Sequence, residues 1–84
     1  MIQIIVAVKD RAAGAFGRPF FVPSVGLAIR SFTDEVNRDA DDNQMNRHSD
    51  DFDLYDLGIY DDETGIITCN PVPFELAQAK QVKL

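Results

Sequence analysis

Asp39, Asp41, Asn43 and Asp50 stand at the first, third, fifth and twelfth positions of a helix-loop-helix calcium motif. Oxygen ligands at those offsets would wrap a hard cation. The rest of the motif is missing. Gln44 occupies the place where glycine makes the sharp turn, and Arg47 fills a position that often acts through water. Asp50 is one methylene shorter than the bidentate glutamate that closes such loops, and the residues after it read as strand. The segment is therefore taken as a solvated acidic loop, with no metal site.

Nucleophilic catalysis needs a nucleophile, a base and an orienting group within mutual reach. The chain has one histidine, His48, in a polar stretch, and one cysteine, Cys69, in a predicted strand. Nothing in the sequence ties them together. There is no glycine-rich lysine loop to cradle phosphate and no Cys/His metal spacing. The many carboxylates fall in solvated runs where nothing would raise a pKa. No catalytic residue and no cofactor is assigned, and the expectation is a protein that is not an enzyme. Gly14-Ala15-Phe16-Gly17, between Arg11 and Arg18, resembles an RNA-clamping GxxG loop, but that loop joins two helices. Here it joins two predicted strands and reads as a flexible connection.

What remains is stacking chemistry. Phe20 and Phe21 sit between Pro19 and Pro23, ahead of an amphipathic segment. Neighbours in an extended chain point to opposite faces. If the outward ring lies near Lys9, Arg18 or Arg30, the two groups make a single-strand stacking site, worth about 1–3 kcal/mol per base. Arg38 is a further phosphate contact. The competing reading, preferred because exposed aromatics are costly on small domains, buries both rings, one under the helix and one across a dimer interface. Phe16, Tyr55 and Tyr60 carry the same two readings.

The elements that must position these groups follow from periodicity. Ile2, Ile4, Val6 and Val8 alternate with Gln3, Ile5, Ala7 and Lys9, a strand pattern with one face apolar throughout. The short apolar run is a strand, not a signal peptide. Asp10 to Gly17 is a loop or loose hairpin, and Pro19 to Val22 a short extended piece. Ser24 is an N-cap, after which Val25, Ala28, Ile29, Phe32 and Val36 form one stripe of a helix. Arg30 and Asp34 are spaced to pair on its exposed side. Arg38 to Asp51 is a polar loop.

Phe52 to Tyr60 and Ile66 to Cys69 are partner strands, with a bulge at Gly58. They are joined through Asp61-Asp62-Glu63-Thr64-Gly65, a turn closed by a left-handed residue at Gly65. Asn70-Pro71-Val72-Pro73 is a breaker, and Phe74 to Lys83 a short helix or a last strand. The fold class is α+β: a small antiparallel sheet with one amphipathic helix packed on one face and a short helix at the C-terminal end.

The chain of 84 residues supports one domain, 1–84. A chain this short buries a modest share of its surface, and dimerisation would add core. A net charge of -6 argues against bulk binding to duplex DNA, which depends on many cations neutralising phosphates. It suits a basic partner or one local basic face. A single cysteine permits no intramolecular disulfide and suits a reducing cytosol. No segment approaches the length of a membrane span.

Pro19 to Asn37 (PFFVPSVGLAIRSFTDEVN), followed by Phe52 to Ile67 (FDLYDLGIYDDETGII), resembles the small nonstructural protein of gokushoviruses, single-stranded DNA phages of the microvirus group. The resemblance covers the middle two thirds of the chain. It implies a protein made in the cytoplasm of the infected bacterium, absent from the capsid and concerned with genome replication. The implied role is a switch from duplex replicative DNA to single strands for packaging. It brings no catalytic residues.

Two mechanisms fit that role. In one, Lys9, Arg18, Arg30 and Arg38 meet the phosphates of viral single-stranded DNA while Phe20 or Phe21 stacks on its bases. In the other, a carboxylate face built from Asp39 to Asp42, Asp50, Asp51, Asp53, Asp56, Asp61 and Asp62 docks on a basic partner such as the replication initiator or a procapsid protein. A homodimer is expected in either case.

Overall fold

The computed structural model describes residues 1–84. Its spine is β1 (Ile2–Asp10), the alternating run read from the sequence. One edge of β1 is shared by two short strands. β2 (Ala15–Phe16) pairs with Lys9 and Asp10, and β3 (Phe20–Val22) pairs with Ile4, Ile5 and Val6. The other edge pairs along its whole length with β4 (Phe52–Asp61), and β4 pairs in turn with β5 (Ile66–Gln78). Every pairing is antiparallel.

The β4–β5 turn forms as its residues require. Gly65 takes φ 74°, its N–H donates to the Asp61 carbonyl at 2.8 Å, and the Asp61 carboxylate accepts from Glu63 N–H. Gly58 sits at a bulge in both ladders. With φ 151°, a Cβ there would stand 2.3 Å from the Thr68 carbonyl oxygen, so only glycine lets the two strands approach.

The chain does not break at Asn70-Pro71-Val72-Pro73. β5 runs through this stretch, which is set opposite Leu57 as a wide irregularity. Prolines are tolerated because β5 is the outer strand. The Asn70 amide, donating to the Asp56 carbonyl at 3.0 Å, ties the irregularity down. The segment 74–83 is therefore divided: Phe74 to Gln78 finish β5, and a single turn, Ala79–Val82, forms the C-terminal helix.

The amphipathic helix α1 spans Val25–Val36, with the Ser24 hydroxyl accepting from Leu27 N–H at its start. Ala28, Phe32 and Val36 are buried against Val6, Val22, Leu54 and Ala79, which form the core with them. Arg30 and Asp34 form no ion pair. Glu35 and Arg38 do, at 2.8 Å.

The polar segment 38–51 is not simply a loop. It holds a helical turn, α2 (Gln44–Arg47), and a 3-10 turn at Ser49–Asp51. Side-chain amides organise it. Buried Asn43 donates to the carbonyls of Glu35 and Arg38 and accepts from Met45 N–H, while Asn46 donates to the Val36 carbonyl. The last turn, α3 (Ala79–Val82), is held to α1 by Asn37, whose amide donates to the Val82 carbonyl and whose carbonyl oxygen accepts from Leu84 N–H.

These packings put the helices on one side of the sheet. Ile4, Val6 and Val8 of β1 face them. The residues between, Gln3, Ile5, Ala7 and Lys9, face the other side, which no helix covers.

Candidate nucleic-acid interface

The register fixes what lies on the uncovered side, since residues directly opposite in antiparallel strands share a face. Four rows cross it. Gln3 stands beside Tyr60 and Ile67. Ile5 lies between Phe21 and Gly58, with Cys69 beyond. Ala7 is next to Tyr55 and Glu75, and Lys9 lies between Phe16 and Asp53.

The aromatic rings on this side come together in two pairs. Phe16 meets Tyr55 edge-on, with centroids 5.3 Å apart and planes at 71°. Phe21 meets Tyr60 in the same manner, at 5.5 Å and 74°. The Lys9 ammonium stands 5.6 Å from the centre of the Phe16 ring, a cation–π contact. Ile5 and Ala7 are buried although no helix lies over them. They form the floor of the face, and the rings stand around it.

The Phe20–Phe21 pair splits between faces as an extended dipeptide must. Phe21 pairs with Ile5 on the uncovered side, and Phe20 pairs with Val6 on the helix side. Neither is buried within the chain: Phe20 is 39% exposed and Phe21 48%. The expectation that one of them enters the core under the helix is therefore corrected. Val22 takes that place. Val6 and Val22 fill the core on that side, and Phe20, beside Val6, stays partly exposed.

The cations separate too. Lys9 is on the uncovered face, and Arg18 is exposed in the link from β2 to β3, on the same edge of the sheet. Arg30 and Arg38 belong to α1 and its end on the opposite side, and Arg38 is engaged by Glu35. The six residues named from the sequence thus form two groups. Lys9 and Phe21, with Arg18 at the edge, can act on one ligand; Phe20, Arg30 and Arg38 are on the other side.

At the Lys9 end lies a buried acid. Asp53 is 2% exposed; one carboxylate oxygen takes the Arg11 guanidinium at 3.0 Å, and the other has no hydrogen-bond partner. Burial pushes its pKa above the ordinary carboxylate value, and the Arg11 charge opposes this. The Tyr55 hydroxyl is also pushed up, by burial first and by the charges of Glu75 and Asp53 next. Arg11 additionally donates to the Asp50 carbonyl. No sequence spacing reveals the Arg11–Asp53 pair. Only the β1–β4 register, which sets Asp53 opposite Lys9, brings the two together.

The carboxylates do not form one surface. Asp50 and Asp51 precede β4, whereas Asp61 and Asp62 stand at its other end, about 30 Å away along a ten-residue strand. Between them Asp53 is buried, and Asp56 accepts from Gly58 N–H and the Asn70 amide. Asp62 pairs with the Met1 ammonium at 2.6 Å. Of the four residues at calcium-loop offsets, Asn43 has its side chain committed to the backbone and Asp41 is bound to Arg47.

A shallow groove of about 520 Å³ opens near the start of β4, lined by Asp10, Ala12, Gln44, His48, Asp51 and Phe52. It sets His48 near two carboxylates, with no nucleophile among its lining residues. Cys69 is exposed on β5.

No helix is long and apolar enough to cross a membrane. Neither the characterised proteins nor the solved structures include a match to the chain. Residues 3–82 match the family model described as Phage ORF5 protein, and the chain, covered almost from end to end, belongs to that bacteriophage family.

Proposed function

We propose that this chain is a gokushovirus nonstructural protein of the host bacterial cytoplasm. In this reading it acts in genome replication, in the switch from duplex replicative DNA to single strands for packaging, by binding single-stranded DNA weakly on the uncovered face of its sheet. The observation that carries the reading is the placement of two edge-to-face aromatic pairs, Phe16–Tyr55 and Phe21–Tyr60, on a sheet face that no helix covers. Every base offers a π-face, so exposed rings on a rigid floor bind single strands without regard to sequence. Duplex DNA, with its bases stacked inside, offers nothing to them. Membership of a bacteriophage family supports a viral role, and the resemblance to the gokushovirus protein supports strand fate as its subject.

Charge limits the strength of the contact. The face carries Lys9 and Arg11 against Asp53 and Glu75, and Arg11 is already bound. Lys9 and Arg18 are the cations left to meet phosphates. Two phosphate contacts on a single strand give a salt slope of about -1.4, far shallower than that of a basic DNA-binding protein. Stacking carries the larger share.

The test is fluorescence anisotropy of a labelled single-stranded oligonucleotide, with duplex of equal length as control, at low and moderate salt. Preference for the single strand, with loss on Phe21→Ala and Phe16→Ala but not on Arg30→Ala, is the expected result. No binding at low salt and high protein concentration would overturn the reading and turn attention to the phage initiator and procapsid proteins.

A further inference from the structure

The helix side of the sheet has a second surface, independent of the face just described. α1 covers Val6, Val22 and Leu54 and leaves other apolar residues on this side exposed. The register lines up Ile2, Ile59, Ile66 and Phe74 on the same side: Ile2 lies opposite Asp61 and Asp61 opposite Ile66, Ile4 opposite Ile59, and Val6 opposite Asp56, which in turn faces Phe74. All four apolar side chains are exposed, Ile66 by 60% and Phe74 by 64%. Val72, on the same outer strand, is exposed as well. An uncovered apolar strip on a long edge strand is an association surface or an aggregation hazard.

We infer that this strip is the homodimer interface, covered by the same strip of a second copy. Charge selects that occupant. The chain carries -6, so two copies repel across most of their surfaces. β5 is the exception: of its thirteen residues only Glu75 is charged, and Glu75 points to the opposite face with Tyr55. Two carboxylates fall within the rows of the strip, Asp61 between Ile2 and Ile66 and Asp56 between Val6 and Phe74, and each is tied to its own chain, Asp61 by Glu63 N–H and Asp56 by Gly58 N–H and the Asn70 amide. The apolar residues of β5 bring no charge of their own to meet a second copy.

Area agrees with that occupant. Five exposed apolar residues supply on the order of half of the roughly 800 Å² per partner that a standard interface buries, and the backbone and neighbours around them can furnish the rest. Only 12 of 84 residues are buried in the single chain, so the added core matters to stability. Pro71 and Pro73 lack N–H groups and limit ladder pairing at the outer edge. The copies therefore meet through side chains on the sheet face. A two-fold axis makes one strip complementary to itself, and both uncovered aromatic faces stay free.

The test combines sedimentation equilibrium, from micromolar to millimolar chain, with the reactivity of Cys69. That thiol lies on β5 in the row of Gly58 and Ile5, on the side away from the strip. The expected result is a species of twice the 9.4 kDa chain mass that dissociates on dilution. Phe74→Lys and Ile66→Lys should make it monomeric with unchanged circular dichroism, and Cys69 should react with a thiol reagent as fast in the dimer as in those monomers. A chain monomeric throughout the range would overturn the inference. So would a dimer that protects Cys69 or survives both substitutions. Single-strand binding by the monomeric variants is a separate readout, so failure of either proposal is recognisable without the other.

Discussion

The ring of Phe16 meets that of Tyr55 edge-on, although one residue lies on a two-residue strand and the other on β4, with β1 between them. The contact spans three strands. It ties the short hairpin of β2 to the middle of the sheet and, together with Phe21–Tyr60, closes the flanks of the Ile5–Ala7 floor. The same four rings thus pack the uncovered face.

Phe21→Ala removes one stacking ring from the end of the face. At about 1–3 kcal/mol per stacked base, single-strand affinity should fall roughly 5- to 150-fold. Arg30→Ala, on the far side, should change it less than twofold, judged by the usual small effect of a distant surface residue. Anisotropy on both variants checks the pair of outcomes.

Leu54→Ala opens a cavity beneath α1, where Leu54 is fully buried. The expected cost is about 2–5 kcal/mol, read from urea unfolding followed by circular dichroism. For a chain this small such a loss approaches the whole stability.

Gly58→Ala should destabilise by about 1–3 kcal/mol, because its Cβ would meet backbone atoms of Thr68 and Cys69 at a strained φ. Gly14→Ala is the control. It too has positive φ, but nothing lies within 4 Å of its added Cβ, so it should cost less. Unfolding midpoints compare the two directly.

Asp53 sets a pH dependence with a definite sign. Its carboxyl titrates higher in the folded chain than in the unfolded one, because burial penalises the charged form. Folding therefore takes up a proton between the two values. This group's contribution becomes more favourable as pH falls through the raised folded value toward the ordinary carboxylate value, and less favourable as pH rises through the same window. Glu35, held low by the Arg38 guanidinium, contributes the opposite trend, its stabilisation fading as pH falls through its lowered value. Subtracting the Asp53→Asn profile from the wild-type profile isolates the Asp53 trend. Arg11→Met leaves the buried carboxylate without its counter-charge. It should cost roughly 1–3 kcal/mol at neutral pH, and less in acid.

Local patterns were sufficient for much of this. Alternation over Ile2 to Lys9 and the stripe from Val25 to Val36 are one-dimensional signals of burial, and the Ser24 cap and Gly65 turn are local chemistry. What stayed hidden depends on register. Proline at 71 and 73 signals a break unless the strand is known to be outermost, and the sequence does not state its place in the sheet. The helical turn at Gln44 is nucleated by the amides of Asn43 and Asn46 reaching α1, which a polar stretch does not advertise. The candidate face was legible in kind but not in grouping. The opposite facing of Phe20 and Phe21 follows from extension alone, whereas the union of Phe21 with Tyr60, and of Arg11 with Asp53, needs the pairing of β1 with β4.

Single-stranded DNA held on the uncovered aromatic face would shift the resonances of the residues that line it. Amide and aromatic NMR spectra of labelled protein, titrated with a short single-stranded oligonucleotide, test it most directly. Progressive shifts are expected at Lys9, Phe16, Phe21, Tyr55 and Tyr60, with Arg30 and Arg38 unmoved. Shifts confined to the α1 side, or none at millimolar oligonucleotide, would contradict it.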